Sequence, residues 1–215
     1  MRTLIRYGAY PPVIGGAGFI LIGVCAQGWH YWRAVPVLGV AGLCTVKWLE
    51  CIAPFEPVWN RDHGDTRVDL LHLLTSQALI QFGVALAFGL RTALPENFSL
   101  WPTFAPMVLQ ALLAGAVMDF GLYTMHRSSH AHGFLWRLHA LHHSPERLYS
   151  LNGGRRHPLS ALVLATPGLT MLLVLGATPL PCSVWMSLMS LLLSFQHPHL
   201  PYRPVPFHYL LTVPD

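Results

Sequence analysis

The sequence predicts an all-α integral membrane protein with about four to six transmembrane helices and a cytosolic, histidine-rich helical cap. Three observations support this fold class. Charged residues make up only 10% of the chain and hydrophobic residues 53%, whereas soluble domains contain roughly 25% charged residues. Apolar stretches recur with lengths that approach the ~30 Å hydrocarbon core at ~1.5 Å per residue. No internal repeat or Ser/Gly linker divides the 215 residues, so residues 1–215 are predicted to form a single domain.

The predicted spans come from six apolar segments, at residues 12–29, 35–53, 70–90, 105–125, 158–178 and 180–196. The first segment is long and lacks a small-residue cleavage site, which favours a retained span over a signal peptide. The last segment is short, and the fifth contains Pro167 and Gly168. These two segments therefore form either two full spans or a tilted, re-entrant pair.

The basic residues indicate the orientation in the membrane. If all six segments cross, eleven of the thirteen Lys and Arg residues lie on one side and only Arg33 and Arg91 on the other. The positive-inside rule makes the first side cytoplasmic. Twelve of the thirteen histidines lie on or near it, with only His30 opposite. Because the basic residues are scattered singly, nucleic-acid binding is not expected, and we expect a multi-pass protein of a bacterial inner membrane.

The fourth apolar segment carries polar residues on one helix face. Asp119, Tyr123, His126 and His130 stand at relative positions 0, 4, 7 and 11, within about 60° of arc. His126 and His130 form an i,i+4 pair able to hold one metal ion if the helix continues that far. An ionised Asp119 costs about 2.5–3.5 kcal/mol inside the membrane, so we expect it to face the bundle and find a partner. That partner is either another helix or the N–H of a ligating imidazole.

A second group of imidazoles follows at His139, His142 and His143. Five neutral imidazoles without compensating acids favour metal binding, with a pH-sensing patch as the alternative. They exceed the needs of one ion, which indicates two metals or further ligands, for which His157 and His197 are the candidates. The four cysteines show no CxxC spacing, so the site is built without thiolate. This ligand type suits zinc, copper, iron or nickel.

The motifs "HRSSH" at 126–130, "HALHHS" at 139–144, "RRHP" at 155–158 and "FQHPH" at 195–199, in this order, resemble the fatty acid hydroxylase / sterol desaturase superfamily. The resemblance begins near residue 50 and implies two non-haem iron ions, O2 as co-substrate, electrons from a separate reductase, and hydroxylation or desaturation of a membrane lipid. His126 and His130 match the first histidine box, and His139, His142 and His143 match the second. His157 matches the histidine of the R-x-H-P element, and His197 matches the histidine before the final box, so the resemblance implies both as ligands. Asp119 is a candidate supporting residue from its position on the helix face alone.

Members of this superfamily carry a further HxxHH box after such a tail, whereas this chain ends at Asp215. We therefore expect the last part of the family domain to be missing. Two other functions stay open at this stage. A histidine-rich metal transporter predicts polar residues through the spans, and a zinc-dependent membrane hydrolase predicts a HExxH-type glutamate, for which Glu146 is the only acid near the histidines. The sequence does not identify the lipid or the oligomeric state.

Overall fold

The described part of the chain is built from helices. The computed structural model describes residues 31–93 and 99–201 together with Gly16, so the predicted first span at 12–29 lies almost wholly outside the described residues. The α-helices are α1 (Tyr31–Ile52), α2 (Thr66–Thr92), α3 (Met107–Ala131), α4 (Gly133–His139), α5 (Pro158–Leu175) and α6 (Pro179–Ser194), with 3-10 turns at Pro57–Asn60 and Ser150–Gly154. No strand occurs among these residues, which confirms the all-α prediction.

Within the described residues, four helices are long and apolar enough to cross a membrane: Arg33–Ile52 of α1, and the whole of α2, α3 and α5. Helix α6 has 16 residues and reaches only about 24 Å at ~1.5 Å per residue, less than a ~30 Å hydrocarbon core. Four of the six predicted segments are thus confirmed as candidate spans, and the last is as short as the sequence indicated.

The described residues fall into two compact units. The first contains residues 31–67, 145–153 and 186–201. Its core is formed by buried side chains of α1 and of the segment from α6 onward: Val46, Leu49, Ala53, Leu191, Phe195 and Leu200. Gly42 lies so close to Leu191 that a Cβ at this position would be 2.6 Å from the leucine Cδ1, so α1 packs tightly in this unit.

The second unit contains residues 68–93, 99–144 and 154–185, and its central contact is between α3 and α5. A Cβ on Gly121 would lie 2.7 Å from the Cα of Gly168, and a Cβ on Gly168 would lie 3.1 Å from the Cα of Met118. Small residues at these positions let two membrane helices approach closely. This contact fixes α3, whose far end carries the first histidine pair.

The length of α3 places that pair near the membrane surface. Its 25 residues extend about 38 Å at ~1.5 Å per residue, more than the ~30 Å hydrocarbon core. The final two turns therefore project to or beyond the surface if the apolar part is centred in the bilayer. Large apolar side chains on the outer faces of α2 and α3, among them Leu74, Phe82, Leu109 and Leu112, are exposed, as expected for helices that contact lipid.

Candidate metal centre

The last turns of α3 bring His126 and His130 together. The helix continues to Ala131, so the i,i+4 pair predicted from the sequence forms, and the two Nε2 atoms are 3.1 Å apart. Helix α3 ends because His132 takes an extended backbone conformation, φ −116° and ψ 122°. Helix α4 begins at once at Gly133 and turns the chain back toward the same pair.

The second pair comes from α4 and the turn that follows it. His139 is the last residue of α4 and is only 1% exposed. The backbone N–H of His143 donates to the carbonyl of Ala140 at 3.1 Å, which continues the turn beyond the helix. The Nε2 atoms of His139 and His143 therefore lie 3.0 Å apart, in the same relation as the first pair.

The two pairs face each other. Ring centroids are 4.6 Å apart between His126 and His139 and 4.8 Å apart between His130 and His143. Each of the four residues offers one ring nitrogen, and these nitrogens all lie within 4.8 Å of one another. We call these four residues, His126, His130, His139 and His143, the histidine cluster.

The nitrogen geometry of the histidine cluster fits a metal ion. Imidazole nitrogens bind metals at about 2.1 Å, so two of them at right angles around one ion are separated by about 3.0 Å. Both i,i+4 pairs, at 3.1 and 3.0 Å, match that separation. An all-imidazole donor set suits transition metals and not magnesium or calcium. The histidine cluster can therefore hold a transition-metal ion.

His139 and His143 are held in their neutral form. Burial, followed by the neighbouring charges, lowers the pKa of His139 to about 3; those neighbours are His126, His143, His130 and Arg156. Burial and the nearby His130 also lower the pKa of His143. Neutral imidazole is the form that ligates metal, so both side chains are ready to bind at neutral pH.

Two aromatic neighbours border the histidine cluster. The ring of Trp136 stacks on His143, with centroids 5.8 Å apart and an angle of 27° between the planes, and it lies 5.4 Å from the ring of His130. Our sequence reasoning did not identify Trp136, although its position three residues before His139 places it on the same face of α4. The His142 ring is 5.4 Å from that of His139 but is outside the converging four.

The other two predicted ligands have different surroundings. His157 is the N-cap of α5, and its Nδ1 accepts a hydrogen bond from the Leu159 N–H at 3.2 Å. In a neutral ring this places the proton on Nε2, so ligation through Nε2 competes with the cap. His197 belongs to the first unit, where its ring lies against Gly153. Ligation by His142, His157 and His197 stays a prediction.

Asp119 does not have the surroundings that we expected. It is exposed, and it forms no hydrogen bond or ion pair with the residues that the structure describes. The physical reason is the position of the α3–α5 contact: Gly121 lies about 160° around α3 from Asp119, so the carboxylate points away from the close packing. The Nδ1 of His139 is buried without a hydrogen-bond partner in this part of the chain, so Asp119 does not support it. Tyr123 accepts a hydrogen bond from Arg127 at 2.9 Å.

A polar stripe on α2 holds the "RRHP" segment, and sequence reasoning missed it. Asp69 accepts from Arg155 at 3.0 Å, His72 Nδ1 donates to the carbonyl of Arg156 at 3.1 Å, and the Ser76 hydroxyl donates to the carbonyl of Gly154 at 3.3 Å. The spacing of 0, 3 and 7 puts these three side chains on one helix face. The signal was visible as "DLLHLLTS" within an otherwise apolar helix.

The histidine cluster lies inside a region that matches a known family. The family model of the fatty acid hydroxylases matches residues 111–215. The last 105 residues, just under half of the chain, are therefore similar to the fatty acid hydroxylases. This match confirms the resemblance to the fatty acid hydroxylase / sterol desaturase superfamily, and the matched region contains every histidine that was predicted to bind metal.

Individual relatives agree with the similarity to the fatty acid hydroxylases. Ornithine lipid hydroxylase OlsE of Rhizobium tropici is 32% identical over 187 residues, which cover 83% of this chain and 56% of the relative. Very-long-chain aldehyde decarbonylase GL1-9 of Oryza sativa subsp. indica is 34% identical over 105 residues, which cover 48% of this chain and 41% of the relative. The chain spans about half the length of the curated relatives it matches. No solved structure matches it significantly.

Proposed function

We propose that the protein is a non-haem di-iron, O2-dependent oxidoreductase that hydroxylates or desaturates a membrane lipid, such as a sterol, a fatty acyl lipid or a related lipid. The observation that carries the proposal is the convergence of four imidazole nitrogens within 4.8 Å at the end of an apolar helix, in a region similar to the fatty acid hydroxylases. The relatives support oxidation of lipids over metal transport and zinc-dependent hydrolysis, because one of them is named as a lipid hydroxylase.

The protein side chains hold and orient the centre. His126 and His130 are presented by one rigid helix, whereas His139 is fixed by burial and His143 by stacking on Trp136. Bound iron would supply the oxygen chemistry, which no side chain of the histidine cluster can perform. His142, His157 and His197 are the proposed additional ligands that a second ion requires.

The reaction needs electrons that this cluster cannot supply. Hydroxylation converts one C–H bond to C–OH with one O2, two electrons and two protons, and releases one water. Desaturation with the same reactants removes two hydrogens and releases two waters. A separate reductase is therefore the proposed partner, and the cytoplasmic face of the membrane is the proposed location of the histidine cluster, because eleven of the thirteen basic residues are predicted to lie on that side.

The test is metal analysis followed by turnover. Protein purified in detergent from iron-supplied cells is expected to contain iron at up to two ions per chain, with the Mössbauer signature of a coupled pair. Incubation with a reductase, isotopically labelled O2 and membrane lipids is expected to place one labelled oxygen atom in a lipid or to remove two hydrogens from it. Stoichiometric zinc without iron, together with hydrolysed lipid, would overturn the proposal in favour of a zinc hydrolase.

A further inference from the structure

Arg156 differs from the other arginines that lie in the protein interior. Arg147 is 2% exposed and pairs with Asp65 at 2.6 Å, and Arg155 pairs with the fully buried Asp69 at 3.0 Å. The guanidinium of Arg156 forms neither an ion pair nor a hydrogen bond with any residue that the structure describes, and its Nε is buried without a partner. Burying such a donor without a partner costs free energy, so an anion is expected to satisfy it.

The position of Arg156 connects it to the histidine cluster. Arg156 lies two residues before α5, which contacts both α3 and α4, the helices that carry His126, His130 and His139, and all of these residues belong to the same structural unit. Its backbone is fixed, because its carbonyl accepts from His72 at 3.1 Å. The preceding Gly154 is fixed as well: a Cβ there would lie 2.7 Å from the Cα of Leu73. The backbone of Arg156 is therefore fixed at the start of a helix that packs against the two helices of the histidine cluster.

The surroundings of Arg156 contain no acidic residue that competes for it. The described residues of this unit contain two acidic residues, Asp69 and Asp119, against five arginines; the exposed Asp119 forms no ion pair with Arg156 or with any other described residue. Asp69 is already engaged by Arg155. Divalent metal bound to neutral imidazoles would add further positive charge, so this part of the unit favours an anionic ligand.

We propose that Arg156 binds an oxyanion, a carboxylate or a phosphate, of the lipid substrate and thereby positions the lipid beside the histidine cluster. A guanidinium presents parallel N–H donors that match both groups. This inference rests on the proposed function and adds the substrate class: lipids with an anionic group are recognised, and neutral lipids of the same chain length are not.

The test is lipid binding to the metal-free protein in detergent, so that it does not depend on iron or turnover. Four ligands are compared: three lipids with matched acyl chains, headed by a phosphate, a carboxylate or a neutral alcohol, and inorganic phosphate alone. Wild-type protein is expected to bind one or both anionic lipids at least about 10-fold more tightly than the alcohol, because hydrogen bonds to charged groups are stronger than those to neutral groups. Which anionic lipid binds identifies the group.

Arg156→Gln is expected to lose that preference, whereas Arg156→Lys is expected to keep part of it, since lysine retains the charge without the fork. Arg137→Gln is the matched control, because it removes one exposed arginine from the same unit, and it is expected to change affinity less than about twofold. If Arg156→Gln does not fold, the wild-type ligand preference and the Lys variant still decide the question.

Two results would overturn the inference: equal binding of anionic and neutral lipids by the wild type, or an unchanged preference in folded Arg156→Gln. Inorganic phosphate that competes as well as the lipids would also overturn it, because the site would then recognise a free ion. Failure of the proposed function is seen separately. A protein without iron that still selects anionic lipids through Arg156 contradicts the oxidoreductase assignment and leaves this binding site standing.

Discussion

Two groups of polar residues in this protein are arranged in opposite ways. In the first unit, Glu50 is fully buried and accepts from the Ser150 N–H at 2.7 Å and the Ser150 hydroxyl at 3.0 Å. Arg147 binds Asp65 through two hydrogen bonds of 2.9 and 2.6 Å. In the histidine cluster of the second unit, the ring nitrogens point at one another, and no carboxylate contacts them among the described residues.

The difference indicates that the first group has a structural role and that the histidine cluster can bind a ligand. Buried polar groups are normally hydrogen-bonded, and the Glu50 and Arg147 groups satisfy this rule with partners from their own unit. In the histidine cluster, the buried His139 has an Nδ1 without a hydrogen-bond partner among the described residues, and nitrogens from all four rings lie within 4.8 Å of one another. The first group is expected to respond to mutation by losing stability, and the second by losing metal.

The largest expected effect is the loss of metal when a cluster histidine is removed. His139→Ala removes the most deeply buried ligand, so we expect the affinity for iron to fall by more than about 100-fold, beyond the 10- to 100-fold loss typical of a residue that only supports a ligand. Metal content after dialysis against a graded chelator measures this. His132→Ala is the control, since His132 bonds to the Ser128 carbonyl at 3.0 Å and lies outside the histidine cluster. Full retention of iron by His139→Ala would refute the assignment of this ligand.

The second largest effect is expected from acid. Protons compete with metal for imidazole, and burial lowers the pKa of His139 to about 3 and lowers that of His143 as well. Protonation of these ligands is therefore delayed to pH values below the ordinary imidazole pKa of about 6.5. We expect iron to stay bound at pH 6.5 and to be released as the pH falls further. Metal analysis of samples gel-filtered at each pH measures the iron that remains bound. Release already complete above pH 6.5 would contradict the lowered pKa values of His139 and His143.

Much of the fold was predictable because membrane spans are long apolar runs. Four of the predicted segments became candidate spans, and the i,i+4 spacing predicted the His126–His130 pair. The position of Asp119 relative to the packed face of α3 was not predictable. It depends on where α5 contacts α3, and the residue pattern of one helix does not contain that information. The cap formed by His157 and the stacking of Trp136 on His143 depend in the same way on how the chain turns after α3.

A smaller effect is expected in the first group, in which Arg147 and Asp65 satisfy each other's hydrogen bonds. Hydrogen bonds from Arg147 lower the pKa of Asp65 to about 2 from its ordinary value of 3.8. Asp65→Asn is therefore expected to reduce the free energy of unfolding by about 2 kcal/mol at neutral pH without changing bound iron. The wild-type contribution is present above about pH 4 and disappears as the pH falls toward 2, because the unfolded state takes up the proton first.

Unfolding of the metal-free protein in detergent, followed by circular dichroism between pH 7 and pH 2, measures that contribution. The wild type and Asp65→Asn are expected to differ at pH 7 and to converge at the acid end. Equal stability at pH 7 would show that the ion pair contributes nothing, and a parallel loss of iron would show that the two groups are not independent.

The smallest effect is expected at Asp119. If Asp119 accepted a hydrogen bond from the N–H of a ligating imidazole, its replacement by Asn would lower the metal affinity of the protein 10- to 100-fold. Asp119 is exposed on α3 without a hydrogen bond or ion pair to any described residue, and it lies on a different face from Gly121. Asp119→Asn is therefore expected to change iron affinity less than about twofold, measured by the same chelator titration as His139→Ala. A loss of 10-fold or more would mean that Asp119 reaches the histidine cluster when metal binds. The histidine cluster would then have a carboxylate partner, as Arg147 has in the first unit, and the two groups would no longer differ in this respect.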